Sequence, residues 1–218
     1  MKRFLPFAII VGVLLLALGS GTVFYRTQNH VMTGSSATTG NPGAEPAHVR
    51  GSHAAPAALE EFGDFECLPC FVLWPALRNL ETEFGHRLSV TFRECPLPQH
   101  SAALSAARAA EAAGLQGQFW EMHDMLYLSR SQWVHGGDIQ GVFDRFAARL
   151  RLNIARFDKD MDGKEVARRI AADHARAVSL GIDRTPVVFL NGQRLQIRNP
   201  VAEDLRKDIN AVLAKQSR

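Results

Sequence analysis

The sequence predicts an α/β domain that follows an apolar N-terminal segment. Three observations lead to this prediction. A strand, a helix and a second strand follow one another within about 40 residues, which is typical of a βαβ unit. A long block with helical spacing comes next, and a β-hairpin and a last helix then form a ββα unit. The helical block is therefore expected to be an insertion between the two halves of the domain.

The N-terminal segment has the length and charge pattern of a membrane anchor. After a short basic end, an uncharged run extends from Phe4 to Phe24. As a helix this run would span about 31 Å, which matches the ~30 Å hydrocarbon core of a bilayer. The basic end places the amino terminus in the cytoplasm. We therefore expect residues 1–26 to be a transmembrane signal anchor in the inner membrane, with the rest of the chain periplasmic. The alternative is a signal peptide cleaved near Gly19, which would release the domain into the periplasm.

Residues 27–55 are expected to be a flexible linker. Gly, Ser, Thr, Pro and Ala dominate this stretch, and Glu45 and Arg50 are its only formal charges. Such a composition cannot bury enough apolar surface to offset the cost of ordering the chain. We interpret the histidines of the linker as solvated side chains rather than metal ligands: His30, His48 and His53. The folded domain is then residues 56–218.

The first half of the domain predicts two parallel strands joined by a helix. The first strand is expected at Ala57–Phe62. Pro75 lies inside the helix that follows, so a kink is expected there. Between Leu88 and Arg93 apolar and polar residues alternate, which is the period of a half-buried strand. The helix itself is indicated by an apolar stripe of Leu73, Leu77 and Leu80.

The second half begins after residues 101–181, which have helical spacing and no convincing strand. The continuous apolar run Pro186–Leu190 predicts a buried central strand. Asn191-Gly192 is a strong hairpin signal that joins it to a strand ending near Ile197. Asn199-Pro200 opens the last helix. The inner face of this helix carries Val201, Leu205, Ile209 and Val212.

The overall composition excludes several function classes. The formal charge is +3, from 25 basic and 22 acidic residues, which is too balanced for a nucleic-acid-binding surface. Hydrophobic residues make up 46% of the chain, which argues against general disorder. Three cysteines cannot all pair within one chain, so a scaffold held by several disulfides is excluded.

The chemistry is expected at the Cys67-Leu68-Pro69-Cys70 motif, which follows a strand and opens a helix. Backbone N–H groups and the helix dipole stabilise a thiolate at this position, and the first sulfur is expected at the surface. In an oxidising compartment such a pair can cycle between dithiol and disulfide. The alternatives are a structural disulfide, a non-catalytic binding module, and a zinc site. The zinc site would use Cys67, Cys70, Cys95 and His100.

Four segments occur in order along the domain: EFGDFECLPC, FRECPLPQH, GQFWEMHDMLY and GIDRTPVVFLNG. Together they resemble the DsbA-like thiol–disulfide oxidoreductases, in particular their membrane-tethered or secreted bacterial members. The resemblance covers residues 55–215 and implies a thioredoxin fold with a helical insertion. It further implies a monomer without cofactor or metal that acts on cysteines of exported proteins. A membrane-bound or soluble redox partner would restore its active site.

The resemblance also assigns roles to individual residues. Cys67 would be the attacking thiol and Cys70 the resolving thiol of a redox-active disulfide. Pro186 matches the cis-proline of the family, and with Thr185 before it would pack against the disulfide and contact the substrate backbone. Glu61 matches the acidic residue beneath the active site, where it could exchange protons with Cys70. The alternative for Glu61 is an exposed carboxylate at the end of a strand.

The chain departs from the family pattern in two places. Leu68-Pro69 lacks the histidine found between the cysteines of the strongest oxidases, and Glu66 adds a like charge beside the thiolate. We therefore expect a Cys67 pKa of roughly 5.5–7 and a reduction potential of about −150 to −230 mV. Cys95 lies where relatives more often carry an apolar residue. It is expected to be a buried inert thiol, with an auxiliary redox thiol as the alternative.

Overall fold

The chain forms a mixed five-stranded sheet with helices packed around it. The computed structural model describes residues 41–197 and 201–216. The strands are β1 (His48–Gly51), β2 (Ala57–Gly63), β3 (Leu88–Glu94), β4 (Val187–Leu190) and β5 (Gln193–Arg194). The helices are α1 (Leu68–Phe84), α2 (Ala103–Gly114), α3 (Phe119–Leu128), α4 (Ile139–Arg149), α5 (Ile154–Met161), α6 (Lys164–Ser179) and α7 (Val201–Gln216). Short 3-10 turns lie at Gly85–Arg87 and Arg130–Gln132.

The predicted membrane segment, residues 1–26, lies outside the described residues. Within residues 41–197 and 201–216, no helix is both long enough and apolar enough to cross a membrane.

The strand order β1-β3-β2-β4-β5 confirms the two predicted halves of the domain. β2 pairs in parallel with β3, with Ala57 opposite Leu88 and Gly63 opposite Glu94, so β2, α1 and β3 form the βαβ unit. β4 pairs antiparallel with β2 and with β5, and α7 follows, which gives the ββα unit. Helices α2 to α6 occupy the interval between the halves, without a strand, as the spacing predicts.

The predicted linker extends too far, because residues 44–51 belong to the folded domain. His48–Gly51 form the edge strand β1, antiparallel to β3. Ala44 is 1% exposed, and its N–H donates to Asp173 Oδ1 at 2.7 Å. His48 is not solvated, since its ring stacks on Phe119 with centroids 3.6 Å apart. The polar composition of this stretch does not reveal that it is ordered, because the residues that hold it in place lie more than 30 positions away along the chain.

β3 is buried on both faces rather than half-buried. Ser89 and Arg93, on the face predicted to be polar and exposed, are only 4% and 6% exposed. The Arg93 guanidinium is neutralised by Glu60 Oε1 at 2.8 Å and by Asp173 Oδ1 at 3.1 Å. β3 lies between β1 and β2 and also contacts α6, so its second face is covered as well.

The hairpin forms at Asn191-Gly192, as predicted. Both residues have positive φ, 48° and 78°, the backbone that favours Asn and Gly in such turns. Asn191 Oδ1 accepts the N–H of Ala58 at 2.8 Å, which ties the turn to the start of β2. The second strand is shorter than expected, since β5 ends at Arg194 rather than near Ile197. The Asn199-Pro200 helix start lies outside the described residues, whereas Leu205 and Ile209 of α7 are buried as expected.

Candidate active site

Cys67 lies inside the βαβ unit, between β2 and α1. It is the N-cap of α1, which begins at Leu68, and its N–H donates to Asp64 O at 3.1 Å. The Cys67 thiol lies 3.4 Å from Thr185 O and donates to it. Cys67 is only 4% exposed, so the expectation of a surface sulfur is wrong. The segment before β4 covers the thiol, and only the tertiary fold brings that segment there.

The two thiols of the motif differ strongly in proton affinity. A hydrogen bond from the Cys70 side chain is the largest effect on Cys67 and, against the opposing cost of burial, lowers its pKa to about 6. The Thr185 side chain and the backbone N–H of Cys70 at the helix start also lower the pKa of Cys67. Cys70 is fully buried, and this burial raises its pKa well above the ordinary value. Cys67 is therefore the thiol that ionises more readily, and Cys70 is the one that holds its proton more strongly.

The Cys67 pKa lies in the range expected from sequence, although the opposing charge is a different residue. Asp64 is the carboxylate that raises the pKa of Cys67, after the larger effects of hydrogen bonding and burial. The Glu66 side chain instead accepts the N–H of Ala102 at 2.7 Å. Glu66 thereby serves to hold the start of the helical insertion against the active-site loop.

Thr185 lies beside Cys67, and Pro186 follows it in the chain. The Thr185–Pro186 peptide bond is cis. Thr185 is 8% exposed, and its Oγ1 is buried without a hydrogen-bond partner among the described residues. The Thr185 carbonyl, which accepts the Cys67 thiol, is fixed in place because the chain continues directly into β4 at Val187.

Glu61 lies inside the protein, and the alternative of an exposed strand-end carboxylate is wrong. It is 3% exposed, and burial raises its pKa to about 8, with the charges of Glu81 and Cys67 adding to the effect. The charge of Glu61 in turn contributes, after burial and the Cys67 contact, to the raised pKa of Cys70. Glu61 therefore affects the ionisation of Cys70 through its charge, and at neutral pH most of it is protonated while a fraction is ionised.

Asp64 organises the active-site loop, and sequence reasoning missed it. Its Oδ1 accepts the N–H of Glu66, and its Oδ2 accepts the N–H of Leu97, both at 2.8 Å. His100 Nδ1 lies 2.8 Å from the same Oδ2. Asp64 therefore joins the loop after β2 to the loop after β3. An aspartate side chain that accepts the N–H of the residue two positions later forms a common type of turn. An aspartate just after a predicted strand is therefore the sequence signal that could have identified Asp64.

A layer of aromatic rings covers the site from the side of α3. Tyr127 OH donates to Asp64 O at 3.4 Å. His123 packs edge-on against Phe92 with centroids 4.7 Å apart, and against Phe65 at 5.5 Å. Burial lowers the pKa of His123 to about 4, so this ring is neutral. The GQFWEMHDMLY segment thus supplies the apolar cover beneath which Cys70 and Glu61 are buried.

The proposed zinc ligands do not come together. Cys95 lies in a separate apolar cluster with Phe62 and Phe189, and burial raises its pKa to about 12. His100 is instead bound to Asp64. Among the described residues, which include all four candidates, no three His, Cys, Asp or Glu side chains are grouped so as to hold a metal ion. Cys95, at 3% exposure, has the environment of the buried thiol predicted from sequence.

Comparison with curated proteins gives partial matches to larger proteins. The sodium–proton antiporter NhaA 1 of Salinispora arenicola is 41% identical over 148 residues, which is 67% of this chain and 22% of that protein. The NhaA 1 of Mycolicibacterium gilvum is 37% identical over 151 residues, covering 67% and 24%. The chain thus spans about a quarter of the length of these curated relatives.

Solved structures share the fold over most of the described domain. BdbD from Bacillus subtilis has a TM-score of 0.69 at 18% identity, covering 80% of this chain and 98% of that one. A thioredoxin-like oxidoreductase from Silicibacter pomeroyi has a TM-score of 0.65 at 24% identity, covering 77% and 92%. Pseudomonas aeruginosa DsbA2 has a TM-score of 0.56 at 28% identity, covering 67% and 82%.

A family comparison matches residues 44–211 to the family described as thioredoxin. This range runs from the buried Ala44 before β1 into α7, and it contains the Cys67–Cys70 pair and the cis peptide bond between Thr185 and Pro186. The chain belongs to the thioredoxin family, and it shares its fold with DsbA2 and with a thioredoxin-like oxidoreductase.

Proposed function

We propose that this protein exchanges disulfides with cysteines of exported proteins through Cys67 and Cys70. The main support for the proposal is the difference in pKa between the Cys67 and Cys70 thiols. The pKa of Cys67 is lowered to about 6 by the Cys70 hydrogen bond, whereas burial raises the pKa of Cys70. A stabilised thiolate is both a good nucleophile and a good leaving group near neutral pH.

When the protein oxidises a substrate, a substrate thiolate attacks the Cys67 sulfur of the Cys67–Cys70 disulfide. The Cys67–Cys70 bond breaks, Cys70 leaves with the electron pair, and a mixed disulfide forms at Cys67. A second substrate thiolate then attacks the substrate sulfur of this mixed disulfide, and Cys67 leaves as the stabilised thiolate. The substrate gains a disulfide, and the Cys67–Cys70 pair gains two electrons. Reduction of a substrate disulfide follows the same steps in reverse.

Three neighbours support these steps. Glu61 would return a proton to the departing Cys70 thiolate and remove it when Cys70 attacks, because it is buried nearby and its pKa is raised by burial to about 8. Thr185 and Pro186 would align the substrate backbone beside Cys67, to which the Thr185 carbonyl is already hydrogen-bonded. The cysteine pair is the redox-active group, so this chemistry needs no cofactor or metal. A separate thiol–disulfide partner would reset the pair after each turnover.

The proposed location is the periplasmic face of the inner membrane, with residues 1–26 as the anchor. A periplasmic reporter fused after Arg218 is expected to be active, and protein purified from cells is expected to retain Phe4–Phe24. A soluble product that begins near Ser20 would instead show that the segment is a cleaved signal peptide. The NhaA match covers about a quarter of those proteins, so we carry over no ion transport from it.

Single cysteine variants test the proposed chemistry. Cys67→Ser is expected to abolish oxidation of a dithiol peptide, because it removes the nucleophile. Cys70→Ser is expected to accumulate mixed disulfides with exported proteins, visible as reducible adducts on a gel, because nothing resolves them. Cys95→Ser is the matched control and should keep wild-type turnover, since Cys95 lies in a different apolar cluster. Full turnover by Cys67→Ser would refute the proposal.

A further inference from the structure

His100 is paired with a buried carboxylate of the active-site loop. Its Nδ1 lies 2.8 Å from Asp64 Oδ2, and the Asp64 side chain is fully buried. The same carboxylate accepts the N–H groups of Glu66 and Leu97, both at 2.8 Å. Because a carboxylate only accepts hydrogen bonds, the hydrogen of the neutral His100 ring lies on Nδ1, and the free lone pair lies on Nε2.

The Nε2 atom of His100 is open to solvent. It makes no hydrogen bond within the described part of the chain, and it is not one of the buried atoms there that lack a partner. The His100 side chain is 24% exposed. An imidazole whose Nδ1–H is held by a buried carboxylate, and whose Nε2 is free, has the arrangement of a general base.

Asp64 holds Cys67 as well as His100. The Cys67 N–H donates to Asp64 O at 3.1 Å, which closes a tight turn over residues 64–67. His100 is bound to the side chain of Asp64, and Cys67 is bound to its backbone. The charge of the Asp64 carboxylate also raises the pKa of Cys67, after the larger effects of hydrogen bonding and burial, which agrees with a short distance between the carboxylate and the thiol.

Two further hydrogen bonds place the segment that carries His100 alongside this turn. Before His100, the Leu97 N–H donates to the Asp64 carboxylate. After His100, the Ala102 N–H donates to Glu66 Oε2 at 2.7 Å. Glu66 is the residue directly before Cys67. His100 therefore lies between two points at which its segment is attached to the turn that ends at the reactive cysteine.

The other charged groups at this side of the turn are engaged with the backbone. The Glu66 carboxylate accepts the Ala102 N–H, and the Arg130 guanidinium donates to the Glu66 backbone oxygen. Neither side chain is hydrogen-bonded to His100. Asp64 is therefore the charged group that orients the His100 ring and compensates its charge when the ring takes up a proton.

We propose that His100 is the general base that accepts the proton of an incoming substrate thiol. The inference rests on the proposed function. As the substrate sulfur bonds to Cys67, its S–H proton moves to His100 Nε2, the Cys67–Cys70 bond breaks, and Cys70 leaves with the electron pair. Asp64 stabilises the imidazolium that forms, and the imidazolium then releases its proton to solvent. In the reverse direction the imidazolium returns a proton to the departing substrate sulfur.

The size of the expected effect follows from the ionisation of the substrate. A free cysteine thiol has a pKa of about 8.5, so only ~3% of it is thiolate at pH 7. A base at the site can therefore speed the attack by up to about 30-fold, which is the gain from ionising the whole population. A thiol that is already ionised gains nothing from the base, because it has no proton to lose.

His100→Asn tests this role, because the Asn amide can still donate to Asp64 but takes up no proton. The oxidised protein is mixed with glutathione, an alkyl thiol, or with para-nitrothiophenol, an aromatic thiol that is already ionised at neutral pH. Acid quenching and mass spectrometry give the initial rate of mixed-disulfide formation at Cys67. With glutathione at pH 7 the variant is expected to be about tenfold slower. Its rate should equal that of the wild type with para-nitrothiophenol, and with glutathione at about pH 9.5, where most of the thiol is thiolate.

His86→Asn is the matched control. His86 is exposed and lies beyond the end of α1 that is opposite Cys67, so this variant should match the wild type with both thiols. A folded His100→Asn variant with wild-type rates for glutathione at every pH refutes the role of His100. An equal loss of rate with both thiols also refutes it, since His100 would then only position the turn.

Two further outcomes complete the test. A wild-type protein that forms a mixed disulfide with neither thiol refutes the proposed function itself. If His100→Asn does not fold, the pH dependence of the wild-type rate with glutathione decides. A rate at pH 7 above the value that the thiolate fraction alone allows supports the base, with the rate at about pH 9.5 as the reference. A rate that follows the thiolate fraction at every pH overturns it.

Discussion

At the scale of single residues, the pKa of Cys67 depends on the Cys70 side chain more than on the position of Cys67 at the start of α1. The Cys70 hydrogen bond is the largest effect that lowers the pKa of Cys67 to about 6. In Cys70→Ala this bond is lost, so the pKa of Cys67 is expected to move back towards its ordinary value. The rate of alkylation by iodoacetamide against pH measures it. Cys95→Ala is the control and should titrate as wild type, and a pKa still near 6 in Cys70→Ala would contradict the assignment.

The dipeptide between the cysteines contributes little to the thiolate. Leu68 is 59% exposed and has no polar atom in its side chain, and Pro69 has no N–H to donate. Replacement of Leu68-Pro69 by Pro-His is therefore expected to lower the pKa of Cys67 and make the protein more oxidising. Equilibration with glutathione measures the potential, for which the wild-type value is expected at about −150 to −230 mV. A pKa below about 4.5 for Cys67 in the wild type would contradict the inference that Leu68-Pro69 contributes little to the thiolate.

At the scale of elements, the junction of β2 and β3 tolerates no side chain at Gly63. A Cβ there would lie 2.6 Å from Phe92 Cζ and 3.2 Å from Glu61 Oε1. Gly63→Ala is therefore expected to lower the free energy of unfolding by ~1–3 kcal/mol and to slow thiol exchange, because Glu61 must move. Gly137→Ala is the control, since a Cβ at Gly137 meets nothing within 4 Å. Urea unfolding gives the comparison, and equal stability of both variants would contradict the packing.

At the scale of the whole molecule, Glu61 links stability to pH. Burial raises its pKa from 4.5 to about 8 in the folded protein. The contribution of Glu61 to the free energy of unfolding is therefore fully present below about pH 4.5 and is lost as the pH rises towards 8. Glutamine cannot ionise. The reduced Glu61→Gln variant is therefore expected to match the wild type near pH 5 and to exceed it in stability at pH 8.

The difference in unfolding free energy between Glu61→Gln and wild type should grow by up to about 1.4 kcal/mol per pH unit across this window. Glu60→Gln is the control with the opposite sign. Although burial opposes it, the hydrogen bonds from Arg176 and Arg93 lower the pKa of Glu60, so its contribution is present at neutral pH and is lost on acidification. Urea unfolding at a series of pH values measures both variants, and a constant difference for Glu61→Gln would contradict its buried, neutral state.

Local sequence signals determined most of the elements and the reactive pair. The alternation along β3, the helical spacing of residues 101–181 and the Asn191-Gly192 turn each depend on neighbouring residues, so they could be recognised without a structure. The Cys67–Cys70 spacing at a helix start is likewise local. These features follow from backbone geometry and from which residues face one side of an element.

Only the tertiary structure decided which polar groups are buried and what they contact. His48 and Ala44 are ordered by residues of α2, α3 and α6, and Arg93 is buried because Glu60 and Asp173 meet its charge. Asp64, Glu94 and Glu111 carry no local signal of burial. Their environment is the sum of contacts from segments far apart in the chain. The sequence gives the charge of each side chain. The fold determines how far that side chain is removed from water, and therefore its pKa and its chemistry.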